Sequence, residues 1–169
     1  MEIVNSTLED LDNIFDLYKG AIAYQKAKGY NLWKEFDRNL ITEEIKDKRN
    51  WKIVIDGQIA CVFSVIYSDP LLWGEMDNDF SIYLHRITTN SAFKGRSLMK
   101  VIVEWAKQHC KETGRKFIRM DTWADNKNLT DYYVSVGFKI IGYRQLDKDA
   151  KGLPSHYSTL SLVLFEISI

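Results

Sequence analysis

The stretch from Ile82 to Phe138 constrains this chain more than any other. It opens on the apolar run IYLHRITTN and enters the helical pattern SLMKVIVEWAKQHCKET through a basic loop. It then returns to an apolar run, FIRMDTW, and closes on a short helical segment that stops at Gly137. In the longer helix Leu98, Val101, Ile102, Trp105 and Cys110 are read as inward, and Gly114 stands where a helix stop is wanted. Strand, helix, strand and helix in succession place the chain in the α/β (α+β) class.

The flanking segments extend that pattern. Met1 to Asn5 reads as an opening strand, and Thr7-Leu8-Glu9-Asp10 has the form of a capping box. Leu8, Leu11, Ile14, Phe15, Tyr18 and Ile22 follow at helical spacing as a buried stripe, with Gly29 at or just beyond the helix end. Tyr30 to Phe36 is an aromatic-rich connection to a polar second helix whose apolar contacts are Leu40, Ile41 and Ile45. Trp51 to Ile55, Asp56-Gly57 and Gln58 to Tyr67 read as a hairpin, because Asp-Gly supplies the positive φ angles of a tight turn. The second arm is almost wholly apolar, the pattern of a central strand covered on both faces. Ser68 to Asp79 reads as an acidic loop, and Asn128 to Val136 as a short helix. Phe80 to Thr89, Phe117 to Trp123, Lys139 to Leu146 and Tyr157 to Ile169 read as strands, the last two separated by a polar loop with Gly152 and Pro154.

At 169 residues, without a linker-like stretch or a shift in composition, one domain over 1–169 is expected. Equal numbers of acidic and basic residues leave no broad cationic field, which argues against nucleic acid as a partner. The longest apolar run, IACVFSVIY, is far short of the roughly 20 residues that cross a bilayer, and the amino terminus lacks a signal pattern. No membrane association and a cytoplasmic location are therefore expected. Cys61 and Cys110 have no spacing that suggests a metal site or a disulfide framework; both read as buried thiols, and no metal is expected.

Lys94-Gly95-Arg96-Ser97-Leu98-Met99 lies between a strand end and a helix start. A helix amino terminus has unsatisfied N–H groups and a partial positive charge, so it favours a phosphate, and Gly95 lets the backbone approach closely. The GxGxxG and GxxxxGK[ST] patterns are both absent, which leaves pyrophosphate recognition of another architecture or a plain basic helix entry. Further on, Asn126 stands at a strand end, followed by Tyr133 and by Gly137-Phe138. On a helix Tyr132 and Tyr133 point roughly 100° apart, so at most one faces a given ligand, and core packing is the alternative role.

LHRITTN, the basic loop opening a helix at Lys94 to Met99, and Asn126…Tyr133…Gly137-Phe138 together resemble the GCN5-related N-acetyltransferase superfamily over Leu84 to Gly142. The resemblance implies a central mixed, mostly antiparallel twisted sheet of about seven strands flanked by about four helices. It implies that the strand through Ile87, Thr88 and Thr89 pairs with the pantetheine arm of acetyl-coenzyme A (acetyl-CoA). Main-chain groups of Lys94, Gly95, Arg96, Ser97, Leu98 and Met99 would hold the pyrophosphate. Asn126 would contact the cofactor, and Tyr133 would stand beside the thioester sulfur as general acid. The loop departs from the family pattern at two small-residue positions, taken here by Ser97 and by Met99, which is bulky where the ligand approaches. That departure motivates a second reading, an acyl-CoA-binding sensor or interaction module without turnover.

The implied reaction is direct acetyl transfer to a primary amine of a small molecule or peptide. An alkyl amine has a pKa near ~10 and must lose a proton before it attacks. Histone-type members use a glutamate on the cofactor strand, and Tyr83 stands at that position here. His85, on the same strand face, is the candidate base, with Glu75, Asp77 and Asp79 as alternatives. The family builds its acceptor pocket partly from the first two helices and their connection. Tyr24, Tyr30, Trp33 and Phe36 are therefore candidate lining residues, joined by Trp73 and Glu75 of the acidic loop. Pairing of the last strand between chains is common in the family and would make a homodimer.

Overall fold

Apolar runs and helical stripes alternate along the chain, and the computed structural model, which describes residues 1–145 and 161–169, turns them into strands and helices in that order. The elements are β1 (Glu2–Asn5), α1 (Leu11–Lys28), α2 (Arg38–Lys46), β2 (Asn50–Ile55), β3 (Gln58–Ile66), α3 (Pro70–Trp73) and β4 (Ser81–Thr89). They continue with α4 (Leu98–Thr113), β5 (Phe117–Trp123), α5 (Lys127–Ser135), β6 (Lys139–Gln145) and β7 (Ser161–Ser168). The strands form a seven-stranded mixed sheet in the order β1-β2-β3-β4-β5-β7-β6. Contacts divide the chain into two units, Met1–Val65 with Leu84–Leu98 and Ile66–Tyr83 with Met99–Ile169.

In the first unit β1, β2 and β3 pair antiparallel, and the β2–β3 turn has Asp56 and Gly57 at φ 50° and 76°, the conformation that Asp-Gly favours. β3 is buried from Ala60 to Val65, as a strand without polar alternation should be. Thr7 donates to Asp10 through its N–H at 2.7 Å and its hydroxyl at 3.0 Å, closing the expected capping box. Ile14, Tyr18, Ile41, Ile45 and Val62 make the core, with Leu11, Phe15 and Phe36 packed against it. Two expected core residues lie outside. Leu8 belongs to a 3-10 turn, Leu8–Asp10, whose tighter winding carries it off the α1 stripe, and it is exposed. Leu40 is exposed beside Ile41, and the third inward place on α2 goes to Glu44.

In the second unit Ser81, Ile82 and Tyr83 pair in parallel with Phe117, Ile118 and Arg119. β5 is antiparallel to β7 along its whole length, and β7 carries β6 on its other side. The expected acidic loop is partly helical. Asp69 accepts a hydrogen bond from Leu72 N at 3.4 Å and Pro70 occupies the first turn, so Asp-Pro starts the short α3, among the described residues the one α-helix beyond the four expected. Gly29 and Gly114 end α1 and α4 with left-handed backbone, both at φ 69°. Leu146, the loop with Gly152 and Pro154, and Tyr157 to Leu160 lie outside the described residues. Among the described residues no helix is long and apolar enough to cross a membrane.

Candidate active site

Strand β4 carries the residues expected to face an acyl donor. Arg86 sits in mid-strand at φ 50°, a left-handed conformation that costs a side-chain-bearing residue energy and is found at bulges. Thr88 is buried, and its hydroxyl donates to the Arg86 carbonyl at 3.1 Å. Ile87 and His85 are half-buried and Thr89 is exposed. Asn90 then ties the strand end to β3, donating from its N–H to Ala60 O at 2.9 Å and from its side-chain amide to Ile59 O at 3.1 Å. Its side-chain oxygen accepts from Ala92 N at 3.1 Å and starts the 3-10 turn Ser91–Phe93.

The basic loop follows at once. Lys94, Gly95, Arg96 and Ser97 are all exposed, and Lys94 Nζ lies 4.1 Å from the centre of the Tyr24 ring. Gly95 has φ 81° and no atom within 4 Å of where a Cβ would stand, so a ligand can approach its backbone. Ser97 adopts φ 53°, a conformation that favours glycine. Lys94 N and Arg96 N donate to Ser91 O and Phe93 O at 3.3 and 3.4 Å, so the loop's capacity for an anion rests on Gly95 and Ser97 to Met99. Leu98 and Met99 are each 4% exposed, so the Met99 side chain is buried.

Of the aromatics between α1 and α2, Tyr30 and Trp33 are half-buried, and the Trp33 N–H donates to Gln25 Oε1 at 2.9 Å. Trp33 lies edge-on to Phe36, with centroids 5.5 Å apart, and Phe36 lies 4.9 Å from the buried Tyr18. Beneath them is a polar group that the sequence reading missed. Glu44 is buried on α2, pairs with Arg86, accepts from the Ser64 hydroxyl at 2.8 Å and lies 4.0 Å from Arg49. The signal for it was slight: an acid at the inward spacing of an otherwise polar helix.

In the second unit Asn126 stands beyond the end of β5, as the N-cap of α5. Its Oδ1 accepts from Leu129 N at 3.1 Å, leaving the NH2 end of the amide for any ligand contact. Tyr133 is 8% exposed and packs edge-on to Phe165 and Phe138 at 5.5 and 6.3 Å, whereas Tyr132 is exposed.

Tyr83, at the position of the histone-type glutamate, is fully buried and donates to Asp77 at 2.5 Å. Burial pushes the Asp77 carboxyl up, but hydrogen bonds from Tyr83, Asp69 N and Ser68 and the Arg119 charge outweigh it and hold it low. Burial and the bond to Asp77 raise the Tyr83 phenol. Asp77 is therefore an anchor with both oxygens occupied and a poor base, contrary to its place among the expected alternatives. Trp73, expected to line a pocket, is 1% exposed and covered by Arg119, whose guanidinium lies 4.9 Å from its ring centre. Glu75 is exposed in the 3-10 turn Gly74–Met76.

The model of the Acetyltransferase (GNAT) family matches residues 12–138. A Bacillus subtilis protein described as an uncharacterised N-acetyltransferase, YesJ, is 29% identical over 147 residues, 79% of this chain and 79% of its own length. Among solved structures, a GNAT-family acetyltransferase from Listeria monocytogenes superposes with a TM-score of 0.76 at 23% identity, covering 99% of this chain and 94% of that one. The Salmonella typhimurium protein yncA, solved with its cofactor acetyl-CoA, gives a TM-score of 0.69 at 13% identity, covering 99% and 93%. At these identities the structural likeness is one of fold.

Proposed function

Because the chain belongs to the acetyltransferase (GNAT) family and is thereby an acetyl-CoA-dependent acyltransferase, we propose that it acetylates a primary amine on a small molecule or a peptide. The observation that carries the cofactor reading is the exposed loop Lys94 to Ser97 ahead of α4, with open space over Gly95 and the Met99 side chain buried. These residues fit a diphosphate. The amides of Gly95 and Ser97 to Met99 hold it, and Lys94 and Arg96 balance its charge.

When bound, acetyl-CoA supplies an activated acyl carbon and a thiolate leaving group. The backbone of Ile87, Thr88 and Thr89 orients the pantetheine arm, and the NH2 end of Asn126 donates to it. Tyr133 holds a proton on Oη for the departing sulfur, whose conjugate acid has a pKa near ~8.5 and is a reasonable match for a phenol donor. His85 takes the proton from the incoming ammonium group. Tyr30 and Trp33 supply apolar walls for the acceptor, and Glu75 supplies charge that attracts a cation. This reading puts the protein in the cytoplasm, where its donor is found.

Calorimetric titration with acetyl-CoA, followed by free-thiol release over a panel of amines, tests the proposal. Absence of binding would refute it, and binding without turnover on any amine would favour a sensor. Tyr133→Phe is expected to lower the single-turnover rate by about 10²-fold with cofactor affinity unchanged, since proton transfer contributes on that order. Tyr132→Phe is the control, and an unchanged rate in Tyr133→Phe would remove Tyr133 from the acid role.

A further inference from the structure

Arg86 occupies a conformation in which glycine would be the default residue, in the middle of the strand assigned above to the acyl donor. Its side chain is 16% exposed and its partner Glu44 only 3%. Around the pair, Glu44 also accepts from Ser64, and Ser64 accepts from Asn50 Nδ2 at 3.2 Å. Arg49 faces the same carboxylate, and the Arg86 guanidinium lies 5.9 Å from the centre of the Phe36 ring. Tyr18, 1% exposed, has its phenol near enough for the Arg86 and Glu44 charges to act on it in opposite directions. The network therefore draws on α1, α2, β2, β3 and β4.

A buried ion pair contributes little net stability compared with well-packed apolar side chains, and its best-attested benefit is to specify one conformation. Here the conformation in question is at hand. Left-handed backbone at one strand residue turns the peptide that follows it, and that peptide carries the Ile87 N–H. We propose that Glu44 and Arg86 are a positioning pair, holding residue 86 in its left-handed conformation so that the Ile87 amide keeps the direction acetyl transfer requires. The pair touches neither donor nor acceptor; it acts through the backbone. This inference rests on the assignment of β4 as the donor strand.

The pair sets orientation, so its loss should appear in kcat and leave the KM for acetyl-CoA nearly unchanged. Arg86→Ala is expected to lower kcat by about tenfold, the scale of the backbone preference that alanine no longer opposes. Arg86→Gly should recover most of that loss, because glycine adopts the same φ without a side chain. Glu44→Gln should lower kcat in the wild-type background and have no such effect in the Arg86→Gly background.

Amide resonances read the same variants independently. The Ile87 N–H resonance should move when Glu44→Gln is made beside Arg86 and stay in place when Glu44→Gln is made beside Arg86→Gly. A glycine variant no better than alanine, or a Glu44→Gln loss that persists beside glycine, would overturn the proposal and point to a guanidinium that binds substrate. If Arg86→Ala does not fold, Glu44→Gln with and without Arg86→Gly carries the same comparison. If the wild-type chain transfers no acetyl group, the functional reading fails, and the Ile87 resonance alone decides the role of the pair.

Discussion

Replacing Arg119 by methionine tests whether one buried cation holds the second unit's loop to its strands. The Arg119 side chain is 7% exposed and Glu166, its partner at 2.8 Å, is 16% exposed. The same guanidinium donates to Met76 O and, at 3.3 Å, to the Tyr83 hydroxyl, and it covers the Trp73 ring. Methionine keeps most of the aliphatic stem but leaves Glu166 as an uncompensated, mostly buried charge. Breaking such a pair by removing one partner costs roughly 3–5 kcal/mol. Because Glu166 keeps some access to water, the lower figure is the better one. At about 2–4 °C per kcal/mol for a chain of this size, Tm should fall by roughly 6–12 °C. Urea unfolding followed by circular dichroism measures the free energy directly. The double change Arg119→Met with Glu166→Leu should recover at least half of the loss, since neither charge is then left alone. A single-variant loss below ~1 kcal/mol, or strictly additive effects in the double-mutant cycle, would show that the pair is screened and the reasoning wrong.

Gly57→Ala should destabilise the chain by about 1 kcal/mol in urea unfolding. The space around Gly57 is open, so a positive φ is all that alanine meets there, and an unchanged midpoint would mean the turn relaxes freely. His109 stacks on Trp105 with centroids 4.9 Å apart and shares a 2.9 Å hydrogen bond with Tyr67. Burial lowers its pKa from 6.5, Glu112 raises it less, and Arg115 lowers it further. The folded value lies below the unfolded one, so its contribution to stability is complete above about pH 6.5 and is lost as pH falls through the folded pKa. His109→Phe should flatten the decline of Tm on that acid side, and an undiminished slope would assign it to other groups.

What was legible in the sequence was the part written at short range. The β2–β3 hairpin depends on Asp56-Gly57, and α1 on a stripe of apolar residues and its capping box. Each is a signal confined to a few neighbours. Asp69-Pro70 carried an equally local helix-start signal, overlooked because the surrounding acidic residues suggested a loop. Glu44 and Arg119 were not legible, because a buried charge is recognisable only through its partner, and those partners lie at Arg86 and Glu166, more than forty residues away in each case. Periodicity marks which face is inward but not that a charge will occupy it. The Met99 side chain makes the complementary point. Read against a motif it obstructs the loop; in the fold it is buried, and the loop's outer surface is set by Gly95 and Ser97.

Asn90 gives the first unit something like a ruler. All four of its polar groups are engaged, two toward β3 and two toward the turn ahead of the basic loop, at 2.9 to 3.1 Å. It therefore ties the last residues of β4, and the turn that leads to α4, to β3. If the arm and the diphosphate of one molecule are read by those two segments, the length of molecule accepted is gauged at Asn90, by a residue that need never touch it.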